Sequence, residues 1–175
     1  MTTTCLVVMG VSGAGKTTIA RMLADRLGWR MAEADEFHPP ANIAKMTAGT
    51  PLTDADRAPW LRAIRDWVSE RDAEGENVVV TCSALKRAYR DLLRQATARV
   101  RFVYLRGTTE IVGSRLADRS GHFMPPSLLG SQFGDLEPLA PDEDGVTVDI
   151  GDTPEHITDT ALVALGLRNG ASAGA

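Results

Sequence analysis

An α/β fold, with a parallel sheet covered by helices on both faces, is the expectation for these 175 residues. Three observations carry it. Short β-branched runs alternate with longer amphipathic stretches, the pattern left by consecutive βαβ units. Runs such as Val78-Val79-Val80 are apolar without interruption, as strands buried on both sides are. The apolar segment Leu6 to Val11 leads through a glycine-rich stretch into a helical pattern beginning at Lys16.

Taken in order, the strands are expected at Cys5 to Met9, Arg30 to Ala34, Val78 to Cys82, Val100 to Leu105 and Val146 to Ile150. Lys16 to Leu27 reads as a helix because Ile19, Met22, Leu23 and Leu27 share one face, and Gly28 stops it. Thr53 to Arg57 looks turn-like, after which Pro59 suits a first helical turn and Trp60, Ile64, Trp67 and Val68 continue at helical spacing. That tryptophan pair is read as core rather than ligand platform. Ser83 to Gln95, Thr108 to Arg119, Pro126 to Phe133 and Pro154 to Leu165 complete the predicted helices. Residues 1–168 form one expected domain and 169–175 a frayed tail, with no internal repeat, long linker or coiled-coil heptad.

Composition narrows the function classes. Apolar residues make up 43% and charged ones 24%, enough to bury a full core. A net charge of −4 gives no global positive field to recruit nucleic acid or an anionic membrane. The run Leu6 to Val11 is too short to span a bilayer and no basic segment precedes it, so a cytoplasmic location is expected. Cys5 and Cys82 lie in separate apolar runs without metal-ligand spacing and are expected to be reduced core thiols.

The strongest chemical signal is Gly10-Val11-Ser12-Gly13-Ala14-Gly15-Lys16-Thr17, which matches GxxxxGK[ST] between a predicted strand and a predicted helix. Glycines let backbone N–H groups turn inward around a phosphate, and the helix N-terminus adds roughly half a positive charge facing it. In P-loop enzymes the lysine reaches the β- and γ-phosphates and the hydroxyl holds Mg²⁺, roles that fall here on Lys16 and Thr17. Gly10, Ser12, Gly13, Ala14, Gly15 and Thr18 complete the predicted ATP site, with ATP and Mg²⁺ as the expected cofactors. A guanine-reading NKxD motif is absent, and the DxxG matches at Asp25 to Gly28 and Asp142 to Gly145 fall in a helix end and an acidic loop, so a GTPase switch is disfavoured.

Glu33-Ala34-Asp35-Glu36-Phe37-His38 places carboxylates and an imidazole at the end of the second predicted strand, where ligands bind in open α/β sheets. A solvated loop capping the next helix is the alternative for this stretch. The residues that follow decide between them. Asn42 to Met46, Gly49 to Leu52 and Asp54 to Leu61 resemble the D-x-x-H-P…N-x-x-K-M…G-x-P-L-x-D-x-D-R-x-P-W-L run of the gluconate kinases. Cys82-Ser83-Ala84-Leu85-Lys86-Arg87 with Tyr89-Arg90-Asp91 is similar to that family's C-S-A-L-K-x-x-Y-R-D segment. Gly121 to Met124, Ser131 to Phe133 and Leu136-Glu137 resemble its lid region.

The resemblance runs from about Leu6 to about Ile157 and departs at Ala34, where the family usually has glycine. It implies a nucleoside-monophosphate-kinase-like three-layer sandwich with strand order 2-3-1-4-5, a helical lid over about 115–135, a homodimer, and phosphoryl transfer from ATP to the 6-hydroxyl of D-gluconate. Asp35 would orient and deprotonate the acceptor hydroxyl, with Glu33 near the Mg²⁺ water shell. His38, Lys45, Arg57, Lys86, His122 and Gln132 would contact the sugar acid. Arg57 is favoured for the carboxylate because its planar fork can make two bonds, the alternative being an ion pair with Asp54 or Asp56. His38 can equally be a turn residue. Lys86 faces the acceptor or the transferring phosphate, or is a surface charge at a helix start.

Arg115 and Arg119 stand four residues apart and share a predicted helix face. Arg119 would neutralise transferring oxygens and contact the acceptor while Arg115 packs on adenine, the alternative being a solvated face paired with acids such as Asp118. The turn ending at Pro154 would wrap the adenine or simply start a helix capped by Thr153. Rival functions are a P-loop kinase for another hydroxylated acceptor, such as shikimate, and a nucleotide-binding regulator without catalysis.

Overall fold

In a computed structural model, the structure describes residues 2–11, 13–107, 111–112 and 126–167. Five strands, β1 (Thr4–Met9), β2 (Arg30–Glu33), β3 (Val78–Thr81), β4 (Arg99–Arg106) and β5 (Gly145–Asp149), form one parallel sheet in the order β2-β3-β1-β4-β5. This is the order expected from the family resemblance.

The period-two alternation of the strands divides the core. Leu6 and Val8 of β1 face α1 (Lys16–Leu27) and the C-terminal helix, Pro154–Leu165, with Ile19, Leu23, Ile157 and Leu162 in the same apolar cluster. Cys5, Val7 and Met9 face the opposite way, into a cluster with Trp60, Leu61 and Ile64 of α3 (Asp54–Ala73) and Leu93 of α4 (Arg87–Leu93). Three layers result. Fully burying a Leu or Phe side chain contributes about 1.5–3 kcal/mol, and Leu6, Leu23, Leu61 and Phe102 are all at most 1% exposed. Cys5 and Cys82 lie in the second cluster as buried thiols, each pushed up to about 12 by that burial.

Beyond shifts of one or two residues at several element ends, the structure departs from the sequence expectation around the site. The chain after Pro39 forms α2 (Pro40–Thr47), with Pro40 at its first position, where the absent N–H costs no bond. The turn-like stretch before Pro59 is the first turn of α3: Thr53 caps it, its hydroxyl accepting from Asp56 N while its own N–H donates to Asp56 Oδ2. Pro59 therefore sits inside the helix rather than in its opening turn. The helix expected from Ser83 begins only at Arg87, because Ser83–Lys86 forms a loop in which Ala84 has φ 45°. Ala34 leaves β2 and opens a 3₁₀ turn, Ala34–Phe37.

The helix expected at Thr108 to Arg119 lies outside the described residues except for helical Ile111 and Val112. Pro126–Asp135 forms α5 and Pro154–Leu165 forms α6. Among the described residues, no helix is long and apolar enough to cross a membrane.

Candidate active site

All parallel strands end at one edge, and the loops leaving β1, β2 and β3 meet there. At Gly10 a Cβ would lie 2.9 Å from Leu105 O, on backbone at φ 146°, so no side chain fits where the chain turns between β1 and α1. Lys16 is the first residue of α1 and its Nζ donates to Gly10 O at 2.9 Å and Val11 O at 3.2 Å. The cation thus lies against the loop that the motif predicts for a phosphate. Gly13, Ala14, Gly15, Thr17 and Thr18 belong to the same turn and first helical turn, with Thr17 half-buried and Thr18 exposed. Ser12 lies outside the described residues.

The second loop is held by α3. Trp60 Nε1 donates to Ala34 O at 2.7 Å, and the Glu33 N–H is capped by Glu36 Oε2 at 2.8 Å. Ala34 itself is 3% exposed within the core, and its φ is not left-handed, so a methyl is accommodated at the position where the resemblance leads to an expectation of glycine. Asp35 projects exposed from this turn. His38 stacks on Trp60 with ring centroids 4.2 Å apart and planes 12° from parallel. Trp60 is therefore core, as expected, and also the bed on which the imidazole rests.

The amide of buried Asn42 has two N–H groups, one directed at Asp56 O at 2.9 Å and one at His38 Nδ1 at 3.3 Å. Accepting there leaves the His38 proton on Nε2. Burial lowers the His38 pKa, Asp35 raises it and Arg57 lowers it, and the net direction is down.

The basic residues expected to meet the sugar acid divide into two sets. Lys45 Nζ is 2.7 Å from Asp56 Oδ2, and this bond, with the Thr53 N–H, holds the Asp56 carboxyl at about 2. Arg57 pairs with neither Asp54 nor Asp56. Its Nη1 donates to Tyr89 Oη at 2.8 Å and its guanidinium lies 5.3 Å from the Tyr89 ring centroid. The Tyr89 hydroxyl in turn donates to Asp54 Oδ1, which also takes Lys86 Nζ at 3.4 Å. These bonds, that from Tyr89 foremost, hold the Asp54 carboxyl below its usual range. Lys86 thus turns toward the start of α3 from the start of α4.

The loop after β3 joins the two halves. Gly10 N–H donates to Ser83 O at 3.2 Å and Cys82 N–H to Val8 O at 3.1 Å. Lys16, the Asp35 turn and Arg57 thus stand on elements that meet at this edge, and the charges of all three reach the buried Cys82 thiol. Phosphoryl transfer asks for that combination: a cation and inward N–H groups for the donor, and a carboxylate and fixed cations for a hydroxylated anion.

Gln132 is half-buried on α5, and the chain just beyond that helix reaches the same loop: Glu137 N–H donates to Leu85 O at 2.7 Å. Pro154 opens α6 just beyond β5, behind Thr153, whose Oγ1 accepts from His156 N–H at 3.2 Å. Arg115, Arg119 and His122 lie outside the described residues. Sequence reasoning gave Tyr89 and Asn42 no role in the cluster and Asp54 only that of an ion-pair partner for Arg57. Tyr89 falls within a quoted family segment, but no spacing rule links it to Arg57 across 32 positions.

A family model described as an AAA domain matches residues 6–132. The chain is 54% identical over 143 residues to a gluconokinase of Gluconobacter oxydans, covering 82% of this chain and 80% of that protein. Among solved structures it is similar to a sugar kinase of Janibacter sp., with a TM-score of 0.90 and 51% identity over 94% of this chain and 95% of that one. A gluconokinase of Sinorhizobium meliloti matches with a TM-score of 0.85 and 44% identity, over 93% and 91% of the two chains. With the phosphate loop and acceptor cluster at one sheet edge and identity of this extent, the chain belongs to the gluconokinase family of P-loop kinases.

Proposed function

We propose that the chain transfers the γ-phosphoryl group of ATP to the 6-hydroxyl of D-gluconate, giving 6-phosphogluconate and ADP. The observation that carries this is the meeting at one sheet edge of the Lys16 loop, the Asp35 turn held by Trp60 and the loop after β3, within a chain 54% identical to a gluconokinase. Lys16 leaves the carbonyls of Gly10 and Val11 for the β- and γ-oxygens, while the loop N–H groups and the start of α1 hold the same phosphates. Asp35 orients the acceptor hydroxyl and takes its proton as the bond to phosphorus forms. Positioning dominates this class of transfer.

The donor set suits Mg²⁺, which keeps waters and substrate phosphates among its ligands rather than an all-protein cage. Thr17 would supply the hydroxyl and Glu33 would hold one of the waters. When bound, the ion neutralises charge developing on the phosphate oxygens. At the acceptor end Arg57 receives the gluconate carboxylate, and His38, Lys45 and Lys86 receive the polyol. Arg115, Arg119, His122 and Gln132 are assigned to the lid side of the same pocket, over about 115–135, with Pro154 beside the adenine. The cytoplasm and a homodimer remain our assignments for its place and assembly.

The test is ADP release from MgATP with gluconate, shikimate, other hydroxy acids or no acceptor, alongside analysis of the phosphorylated product. Gluconate-dependent ADP with 6-phosphogluconate is expected. ADP formed only with a different acceptor would keep the kinase and overturn the acceptor assignments, and tight MgATP binding without turnover would favour a regulatory nucleotide-binding protein.

A further inference from the structure

Arg90 is 0% exposed and has no place in the chemistry above, yet every one of its N–H groups is used. Nε donates to Glu143 Oε1 at 2.9 Å and Nη2 to Glu143 Oε2 at 3.0 Å, a two-pronged pair with a carboxylate that is itself fully buried. Nη2 also meets Pro138 O at 3.4 Å. Nη1 donates to Ala84 O at 2.9 Å and Leu85 O at 3.4 Å. Glu143 is completed by Ala140 N–H at 2.8 Å and Arg94 Nη2 at 2.8 Å. Burying such a pair is costly, and apolar residues of similar volume would usually stabilise a core as well or better. What apolar residues cannot do is fix the direction of two carbonyls.

Those carbonyls belong to the loop that serves the site. Ala84 has φ 45°, a left-handed conformation that non-glycine residues avoid unless neighbours enforce it. Ser83, before it, accepts from Gly10 N–H, and Lys86, after it, carries the cation facing Asp54 and Tyr89. The outer side of the loop is held by the chain beyond α5, through Glu137 N–H to Leu85 O at 2.7 Å and Arg87 N–H to Glu137 Oε1 at 3.0 Å. The Arg90 guanidinium lies between the loop and the 138–143 segment.

We infer that Arg90, anchored by Glu143, is a positioning residue that holds the Ser83–Lys86 loop in its left-handed turn and thereby sets Lys86 for the acceptor. The kinetic half of this inference rests on the proposed gluconate reaction; the structural half does not. Arg90→Lys keeps the charge but cannot span a carboxylate and two carbonyls. Glu143→Gln is the milder partner variant, turning an amide N–H₂ toward either the Arg90 guanidinium or the Ala140 N–H, and it serves if the first does not fold.

Two readouts are taken on the full chain. In steady-state kinetics the gluconate KM should rise about tenfold while the ATP KM stays within about twofold, because a small displacement of a positioning group falls on one substrate. In hydrogen exchange, amides of 83–87 should exchange about ten times faster while those of β1 keep the wild-type rate, a local rather than global opening. KM values that move together, or do not move, overturn the inference. So does exchange that rises uniformly or not at all, as an ordinary core contact would give. If the wild-type protein does not use gluconate, the function proposal falls and the exchange pattern alone decides this one.

Discussion

The phosphate end and the acceptor end of this site are built by different means. The phosphate end is a single continuous segment whose shape comes from its own backbone: Gly10 leaves no room for a side chain, and Lys16 bonds carbonyls five and six residues before it. The acceptor end draws on the turn after β2, α2, α3, the Ser83–Lys86 loop and α4, joined by side chains such as Trp60 to Ala34, Arg57 to Tyr89 and Lys45 to Asp56. A local device tolerates change elsewhere in the protein. A device assembled from several segments depends on each joint, so substitutions at the two ends should differ in which kinetic constant they move.

The largest effect is expected at the phosphate end. Lys16→Ala should lower kcat by about 10²–10³-fold or more, the scale of removing one preorganised donor to a transition-state charge. Binding of MgATP should weaken along with turnover, which a nucleotide titration of the variant would read. Asp35→Asn should lower kcat by about 10²–10⁴-fold with the gluconate KM little changed, as loss of a general base does. Near-normal turnover in Asp35→Asn would remove the base and leave Asp35 as an orienting group only.

Next comes Arg57→Ala, which should raise the gluconate KM by about 10–100-fold, the worth of a charge-assisted bond to a carboxylate, while the ATP KM holds. Equal effects on both constants would show that the two ends are not separable as drawn. Tyr89→Phe tests the joint rather than the ligand group. It keeps the ring under Arg57 and removes the hydroxyl that links Arg57 to Asp54. A net hydrogen bond contributes about 1 kcal/mol, so a rise of about fivefold in gluconate KM is expected. A Phe variant as impaired as Arg57→Ala would make Tyr89 itself a substrate contact.

The same contrast explains what was legible in the sequence. The motif from Gly10 to Thr17 could be read because its mechanism is local: strand, glycine turn, lysine, hydroxyl and helix follow one another. Strand positions were legible from uninterrupted apolar runs, and the strand order from the family resemblance. The acceptor side was legible as a set of residue types but not as a wiring. Pro39 and Pro40 disguised α2, because proline signals a break and a helix start alike. Pro59 drew the start of α3 too late, since a proline prefers the first turn yet here sits beyond a Thr53 and Asp56 cap. Nothing in the pattern of α4 separates buried Arg90 from Arg87 beside the surface acids; only the arrival of Glu143 from 53 residues away does so. Long-range joints of this kind leave no periodic trace.

The smallest effect should come from pH at the acceptor end. His38 accepts at Nδ1 from Asn42, so its neutral form is the one the fold uses, and burial lowers its pKa from the usual 6.5 despite the opposing pull of Asp35. A His pKa lower in the folded than in the unfolded protein means that its contribution is fully present above about 6.5 and is lost as pH falls through the folded value. The gluconate KM should therefore be flat from about pH 8 to about 6.5 and rise a few-fold below, while the ATP KM, set by the phosphate end, follows only the titration of ATP itself. His38→Gln can still accept from Asn42 but has no proton to gain in this range. That variant should show a flat gluconate KM, displaced by about twofold, over the same interval. A rise on acidification that persists in His38→Gln would assign the titration to another group. A parallel rise in the ATP KM of the wild type would mean that the two ends share an acid-sensitive joint, with the Ser83 to Gly10 bond as the place to look.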